Sequence, residues 1–250
     1  MTSAIVLAAG LGRRLAGATT LPKWLAPVDG VRPADPQLQA FEAARLARVH
    51  VVVSPDPSAI VAHLEPWAGR LDLRLVPNPH AATRNNWYSL LLGLRRAAGD
   101  ADDLVVANSD LFASSAWFIE LIDALRRSGA PAALAVDPSK GKTDEAMKVA
   151  LAEGAELVSA IGKVGVAAPA GEYVGLAWWS AEAAAELAEV LSGFEDDPSR
   201  ADHWYEHGIQ CHIEGGGRYQ AVQVPSDRWI EIDDEADLAA ARALRTAVAP

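Results

Sequence analysis

The chain has 250 residues, half of them apolar, so it can bury a substantial core as one large domain. Its 33 acidic and 22 basic residues give a formal charge of −11, which argues against broad attraction to nucleic acid or an anionic membrane. The single Cys211 excludes an internal disulfide and a cysteine-rich zinc site. No apolar run approaches the roughly 20 residues that cross a bilayer, and no basic segment precedes a long one, so we expect a cytoplasmic location.

The first half of the chain alternates short apolar runs with segments of helical spacing. Strands are predicted at residues 4–8, 49–53, 71–76, 104–107 and 132–136, and helices at 36–46 and 87–98. Strands that alternate with helices imply a mainly parallel sheet covered on both faces. The pattern therefore predicts an α/β fold.

The second half of the chain does not continue the regular alternation of strands and helices. A hairpin is predicted from residues 147–151 and 157–161 around Glu153-Gly154, with a third strand at 173–178. Helices at 181–191 and 200–212, strands at 219–224 and 229–232, and a closing helix at 234–248 complete the prediction. We find no internal repeat or long linker, so residues 1–250 are expected to form a single domain with a small mixed-sheet extension.

The N-terminal loop is the most informative segment. The strand at residues 4–8 runs directly into Gly10-Leu11-Gly12, and Arg14 and Lys23 follow. Small residues let backbone N–H groups approach a polyphosphate, and nearby cations offset its charge. A glycine pair alone fits a plain strand-to-helix turn equally well. Leu15 stands where a dinucleotide fingerprint has its third glycine, and the Gly-Lys-Ser/Thr ending of a P-loop is missing.

With its flanking residues, this loop resembles the nucleotidyltransferase superfamily, whose pattern is Leu-Ala-Ala-Gly-x-Gly-x-Arg followed by Pro-Lys. The resemblance implies a Rossmann-like sheet of the nucleotide-diphospho-sugar transferase type. It further implies that two catalytic cations, Arg14 and Lys23, face the phosphates of a nucleoside triphosphate. It also implies a nucleotide-binding backbone at Leu7, Ala8, Ala9, Gly10 and Gly12. Arg13 departs from the usual Ser or Thr, so its charge either touches the triphosphate or points to solvent.

Three further segments narrow the resemblance, and it then covers essentially the whole chain. Residues 85–90 (NNWYSL), 145–149 (EAMKV) and 231–233 (EID) are similar to phosphocholine, aminoethylphosphonate and related phosphonate cytidylyltransferases. This similarity implies CTP as donor, Asn86 and Ser89 beside the base, and Lys148 as a third catalytic residue. Residues 1–135 would bind the nucleotide, and residues 136–250 the acceptor. Inositol-phosphate cytidylyltransferases are close relatives, so the acceptor stays open.

Carboxylates at two places suggest a metal site. Asp110 follows the predicted strand at 104–107, where open α/β sheets build their sites. Mg²⁺ usually takes one or two carboxylates together with phosphates and water. Glu231 and Asp233 alternate on a strand and share a face. The resemblance implies Mg²⁺ as the cofactor, with Asp110 and Asp233 as ligands and Glu231 in support. Alternatively, Asp233 or Asp234 caps the following helix.

The acceptor side is suggested by late aromatic residues. Tryptophan and tyrosine faces can hold an ammonium group with a nearby carboxylate, which suits a choline- or aminoethyl-type acceptor. By resemblance Tyr173, Tyr205 and Glu206 are acceptor-binding candidates, and Lys163 is a further one. Core packing is the alternative for the aromatic residues, and a surface position is the alternative for Lys163.

Other charged and polar residues are given structural interpretations. Asp102-Asp103 and the acidic run at 195–197 are interpreted as solvated surface. Cys211 is interpreted as structural. The expected partners are CTP and a small phosphate or phosphonate, without nucleic acid or membrane. The sequence is compatible with a homodimer.

Two rival functions share parts of this pattern. A sugar-1-phosphate nucleotidyltransferase that uses UTP, GTP or dTTP would carry the same loop, although its segment at residues 85–89 would normally differ. A dinucleotide-binding Rossmann protein would need the complete glycine fingerprint.

Overall fold

The computed structural model describes residues 1–10, 12–141, 143–224 and 228–248. Leu11, in the middle of the predicted glycine loop, lies outside the described residues. The strands in chain order are β1 Thr2–Ala8, β2 Val49–Val53, β3 Leu73–Pro77, β4 Asp103–Asn108, β5 Leu111–Ala113, β6 Ala132–Asp137, β7 Lys148–Leu151, β8 Val158–Gly162, β9 Gly171–Trp179, β10 Tyr219–Gln223 and β11 Trp229–Glu231. The helices are α1 Ala34–Ala43, α2 Ser58–Leu64, α3 Asn86–Ala98, α4 Ser115–Arg127, α5 Ala181–Ser192, α6 Tyr205–Glu214 and α7 Glu235–Val248.

A mixed, mostly parallel sheet forms the centre of the molecule, as predicted. Its main order is β10-β6-β9-β4-β1-β2-β3, and β7 and β8 extend it beside β9. Strands β3, β2, β1 and β4 are parallel, as are β10 and β6, whereas β9 runs antiparallel between β4 and β6. A separate antiparallel pair joins β5 to β11. The parallel strands therefore bring their carboxyl ends, and the loops after them, to one edge of the sheet.

Side chains of β1 alternate between two cores. Ala4 and Val6 belong to the cluster that packs under α1 and α4, whereas Ile5 and Leu7 belong to the cluster under α3, α5 and α6. A third, smaller cluster connects α7 to the loop that follows β1 through Leu15 and Leu238. Helices on both faces explain why β1 is a continuous apolar run. None of the helices in the described ranges is long and apolar enough to span a membrane.

Most element predictions agree with the structure, and the exceptions have tertiary causes. The predicted helix at 200–212 is a helical turn at Pro198–Arg200 followed by α6, which begins at Tyr205. The Tyr205 backbone N–H donates to the Asn86 side chain at 2.9 Å, so a residue far away in sequence sets the start of this helix. Helices α2 and α4 and strand β5 were not predicted.

The interpretation of Asp102-Asp103 as solvated surface is wrong for Asp102. Asp102 is buried and accepts hydrogen bonds from Ser3 Oγ at 2.6 Å and Arg48 Nη1 at 2.8 Å. Its charge is paired inside the protein because Arg48 and the chain's amino end meet it there.

Candidate functional site

The glycine loop follows β1 at the carboxyl edge of the sheet. Gly10 is exposed, and a Cβ at this position would meet no atom within 4 Å, so the main chain here is open to a ligand. Gly12 has φ +56°, a left-handed conformation that favours glycine. The helical turn Arg13–Leu15 starts there and anchors itself through buried Leu15. Leu7, Ala8 and Ala9 are buried, whereas Arg13 is exposed.

Lys23 lies between two carboxylates. It begins the turn Lys23–Leu25, whose buried Trp24 and Leu25 fix the backbone. Lys23 Nζ donates to Asp110 Oδ2 at 3.3 Å and forms a second ion pair with Asp233 Oδ1. Burial by itself would lower the pKa of Lys23, but the charges of Asp110 and Asp233 raise it. Lys23 is therefore held as a cation at this position.

The β5–β11 pair brings the distant acidic residues together. Asp110 lies in the turn between β4 and β5, and β11 pairs with β5 so that Glu231 is opposite Leu111. The Ile232 backbone N–H then donates to the Asp110 carbonyl at 2.9 Å. This register places Asp233 next to Asp110, and Lys23 bridges the two carboxylates.

The three carboxylates of the site titrate differently. Burial raises the pKa of Asp110 despite the nearby Lys23 charge. Burial also opposes ionisation of Asp233, but Lys23 and Arg14 lower its pKa. Glu231 is exposed on one side. Desolvation by the protein atoms packed around its carboxyl group, followed by the charges of Asp110 and Asp233, raises its pKa well above the usual value. The site thus places three carboxyl groups around two cations, and ionisation of all three is opposed by burial and mutual repulsion.

Asp234, and not Asp233, caps the N-terminus of α7. Asp234 Oδ1 accepts from the backbone N–H groups of Ala236 at 2.8 Å and Asp237 at 3.0 Å. Asp233 instead accepts from Arg14 Nη2 at 2.7 Å as well as from Lys23. The side chain of Asp233 therefore faces the loop after β1.

One carboxylate oxygen of Asp110 has no hydrogen-bond partner among the described residues. Asp110 Oδ1 is buried and accepts no hydrogen bond, which is costly unless a ligand or cation completes it. Within the described ranges no three His, Cys, Asp or Glu side chains are arranged to hold a metal ion by themselves. A cation at this position would need oxygens from a substrate in addition.

The residues predicted to lie beside a base are at the start of α3. Asn86 Oδ1 accepts from the Tyr205 backbone N–H, and Ser89 Oγ accepts from Asn78 Nδ2 at 2.9 Å. Ser89 is buried, and Asn86 is partly exposed. Both side chains therefore already have structural partners on their oxygen atoms.

The predicted acceptor residues separate into a buried and an accessible group. Tyr173 and Tyr205 are buried in the core, and their hydroxyl groups are 2.9 Å apart. The Tyr205 hydroxyl also donates to Asn108 Oδ1 at 3.1 Å, so this pair supports the loop that carries Asp110. Trp204, in contrast, is 43% exposed, and Lys163 Nζ lies 4.7 Å from the centre of its ring. The sequence left open whether the late aromatic residues form a cage or a core, and most of them are core.

Two further predicted site residues lie in α6 and β7, Glu206 near the start of α6 and Lys148 at the start of β7. Glu206 is buried, its Oε2 has no hydrogen-bond partner, and burial raises its pKa to about 7. Lys148 Nζ donates to the Lys163 carbonyl at 2.7 Å. Lys163 Nζ is 3.3 Å from Glu145 Oε2.

Sequence reasoning missed two residues beside the site. Gln37 donates to the Asn108 carbonyl in the segment that carries Asp110, and Asn108 Oδ1 accepts from the Tyr205 hydroxyl. Gln37 occupies the buried face of α1, between apolar Ala34 and Phe41. A polar residue on an apolar helical face was the available signal.

These features define a Rossmann-like α/β protein with a glycine-rich, cation-flanked loop opposite a cluster of carboxylates. Residues 4–206 match the model of the MobA-like NTP transferase domain. The chain belongs to this family and is a nucleotidyltransferase, which confirms the resemblance seen in its sequence.

Solved structures show the same fold along nearly the whole chain. The inositol-1-phosphate CTP transferase from T. maritima is 20% identical with a TM-score of 0.74, over 100% of this chain and 98% of that one. The CTP:phosphocholine cytidylyltransferase from Streptococcus pneumoniae is 20% identical with a TM-score of 0.73, over 97% and 98%. A putative glucose-1-phosphate thymidylyltransferase from Bacillus anthracis is 14% identical with a TM-score of 0.79, over 98% and 95%. A comparison with curated proteins gave no match.

Proposed function

We propose that this nucleotidyltransferase transfers CMP from CTP to a small phosphate or phosphonate and releases pyrophosphate. The observation that carries the proposal is that Lys23 bridges Asp110 and Asp233 next to Gly12 of the glycine loop, where an added Cβ would lie 3.4 Å from Lys23 Cγ. The choice of CTP is supported by the segment at residues 85–90 and by two structural neighbours whose names include CTP.

The proposed chemistry needs no protein nucleophile. An anionic oxygen of the acceptor attacks the α-phosphorus of CTP and forms a new P–O bond. The bond from the α-phosphorus to the oxygen bridging the β-phosphate breaks, and pyrophosphate leaves with that electron pair. Because the attacking oxygen is already ionised, catalysis rests on positioning and charge neutralisation.

Lys23 and Arg14 are proposed to bind the triphosphate. Both now pair with Asp233, and Arg14 is 60% exposed, so it can turn toward a ligand. The main chain from Leu7 to Gly12 would hold the same phosphates, with Arg13 at its outer side. Lys148 would stabilise the approaching acceptor oxygen.

Asp110 and Asp233, supported by Glu231, are proposed to hold Mg²⁺. The unpaired, buried Asp110 Oδ1 and the excess of carboxylates fit a hard divalent cation that also takes phosphate oxygens. When bound, Mg²⁺ would neutralise charge on the α-phosphate. The contribution of the protein is to hold Asp110 and Asp233 side by side through the pairing of β5 with β11.

Asn86 and Ser89 are proposed to read the base. Their oxygen atoms already accept hydrogen bonds, so the Asn86 amide N–H and the Ser89 hydroxyl remain as donors. Cytosine presents acceptors at O2 and N3 that two donors can match. The two donors are therefore compatible with cytosine, and the preference for CTP rests on the segment at residues 85–90.

On the acceptor side we propose Glu206 and Lys163, with Tyr173 and Tyr205 in support. Glu206 has an unpaired buried oxygen that an ammonium group would complete, which favours an aminoethyl- or choline-type acceptor. Lys163 lies over Trp204 and would approach the acceptor phosphate.

The test is a pyrophosphate-release assay with CTP, UTP, GTP and dTTP against phosphocholine, aminoethylphosphonate, hydroxylated phosphonates, inositol phosphate and hexose phosphates. We expect release with CTP and an amine-bearing acceptor, and its loss after EDTA with recovery on added Mg²⁺. Release with UTP, GTP or dTTP alone would contradict the proposal.

A second candidate is an inositol-phosphate or sugar-1-phosphate nucleotidyltransferase that uses CTP or another nucleoside triphosphate. Burial of Tyr173 and Tyr205 favours it, because neither ring is presented as a wall for an ammonium group. Turnover with inositol phosphate or a hexose phosphate, and none with phosphocholine or aminoethylphosphonate, would select this candidate.

A further inference from the structure

The Gln37 side chain lies between the two segments that carry Lys23 and Asp110. Gln37 is 0% exposed and sits on the inner face of α1. Its Oε1 accepts from Trp24 Nε1 at 3.0 Å. Its Nε2 donates to the Asn108 carbonyl at 3.0 Å and to the Leu111 carbonyl at 2.9 Å.

These bonds use the Gln37 amide fully. The carbonyl and both N–H groups each have a partner, and the bonds to Trp24 and Leu111 are buried. Trp24 directly follows Lys23, and Asn108 and Leu111 bracket Asp110. A single amide thus connects the Trp24 side chain, next to Lys23, to the backbone on both sides of Asp110.

We propose that Gln37 is a positioning residue that sets the distance between Lys23 and Asp110. It does not touch the reacting groups itself. This inference rests on the roles proposed above for Lys23 and Asp110. Without Gln37 two buried carbonyls and one indole N–H lose their partner, and the two segments can move apart.

The test is a double-mutant cycle between Gln37→Met, which keeps the side-chain length without polar atoms, and Lys23→Ala. We expect Gln37→Met to lower kcat about 10-fold or more in the wild-type background, which a small misplacement of catalytic groups can cause. In the Lys23→Ala background the same change should lower kcat less than about 2-fold, since the distance it controls no longer matters. Equal fold-losses in both backgrounds would overturn the inference and leave a structural role only.

Tyr219→Phe is the matched control. The Tyr219 hydroxyl accepts from Trp179 Nε1 at 3.1 Å and bonds His212 Nδ1 at 2.7 Å, so its loss also breaks a buried network. We expect lower stability with unchanged kcat. A similar fall in kcat for Tyr219→Phe would show that any buried hydrogen bond matters equally, which would also overturn the inference.

Trp24→Phe provides a second route if Gln37→Met does not fold. It removes the indole donor together with part of the buried ring volume, and we expect a kcat loss of several fold that vanishes in the Lys23→Ala background. As a readout without turnover, the Trp24 indole N–H signal in NMR should exchange faster with solvent in Gln37→Met, and unchanged protection would contradict the bond. A wild-type chain inactive with every substrate pair would overturn the proposed function together with this inference.

Discussion

Two aspartates flank β4, and their surroundings differ although their chemistry is the same. Asp102, before the strand, has a side chain 2% exposed and pairs with Arg48, Ser3 and the terminal amine of Met1. Asp110, after the strand, keeps one oxygen on Lys23 and leaves the other buried without a partner. A fully paired buried carboxylate stabilises a scaffold, whereas an incompletely paired one is available to a ligand. The comparison therefore distinguishes Asp102, which has a structural role, from Asp110, for which we propose a role in the site.

The Asp110→Asn substitution is the strongest test of the difference between these two aspartates. We expect kcat to fall roughly 10³-fold because a neutral amide replaces an anionic ligand. The free energy of unfolding should change little, since burial already disfavours the Asp110 charge. Steady-state kinetics and urea unfolding measure the two effects. Activity near the wild-type level would remove Asp110 from the site.

Asp102→Asn should give the opposite result. Loss of the charge leaves Arg48 with a weaker buried partner, and we expect about 3 kcal/mol of lost stability. The kcat of the folded fraction should equal that of the wild type. Urea unfolding with kinetics at low temperature tests this, and a large kcat loss would mean that the two ends are coupled.

Glu206→Gln extends the comparison to another carboxylate with an unpaired oxygen. Because burial raises the pKa of Glu206 to about 7, the folded chain holds this proton more tightly than the unfolded chain. Its contribution to stability is fully present below about pH 4.5 and is lost as pH rises from there through 7, by about 3 kcal/mol. Unfolding measured from pH 5 to 8 should fall less steeply for Glu206→Gln. Identical slopes would place the Glu206 pKa in its ordinary range.

Gly175→Ala tests the support of the loop that carries Asp110, with the smallest expected effect. Gly175 has φ +81°, and an added Cβ would lie 2.6 Å from Asn108 Nδ2. We expect about 1 kcal/mol of backbone strain and a kcat several-fold lower, because Asn108 must shift. Gly129→Ala is the control, since it has φ +68° and open space around the added Cβ. Equal kcat losses in both variants would exclude a local effect at Asn108.

The sequence determined the local parts of this protein. The continuous apolar run at 4–8 and the strand Val49–Val53 follow from short-range hydrophobic pattern, and the structure confirms them. The glycine loop and Lys23 were found by motif, and Asp110 by its place after a strand. The strand predictions succeed because each depends on a few neighbouring residues, whereas the roles of the glycine loop, Lys23 and Asp110 stay predictions.

The tertiary structure alone decided which charges meet. Lys23 and Asp233 are 210 positions apart, and only the pairing of β11 with β5 brings Asp233 to the loop after β1. The burial of Asp102, the start of α6 at Tyr205 and the bonds of Gln37 likewise depend on distant partners. Whether a polar side chain is solvated, paired or left for a ligand depends on the elements packed around it, which are set by long-range contacts and not by local pattern.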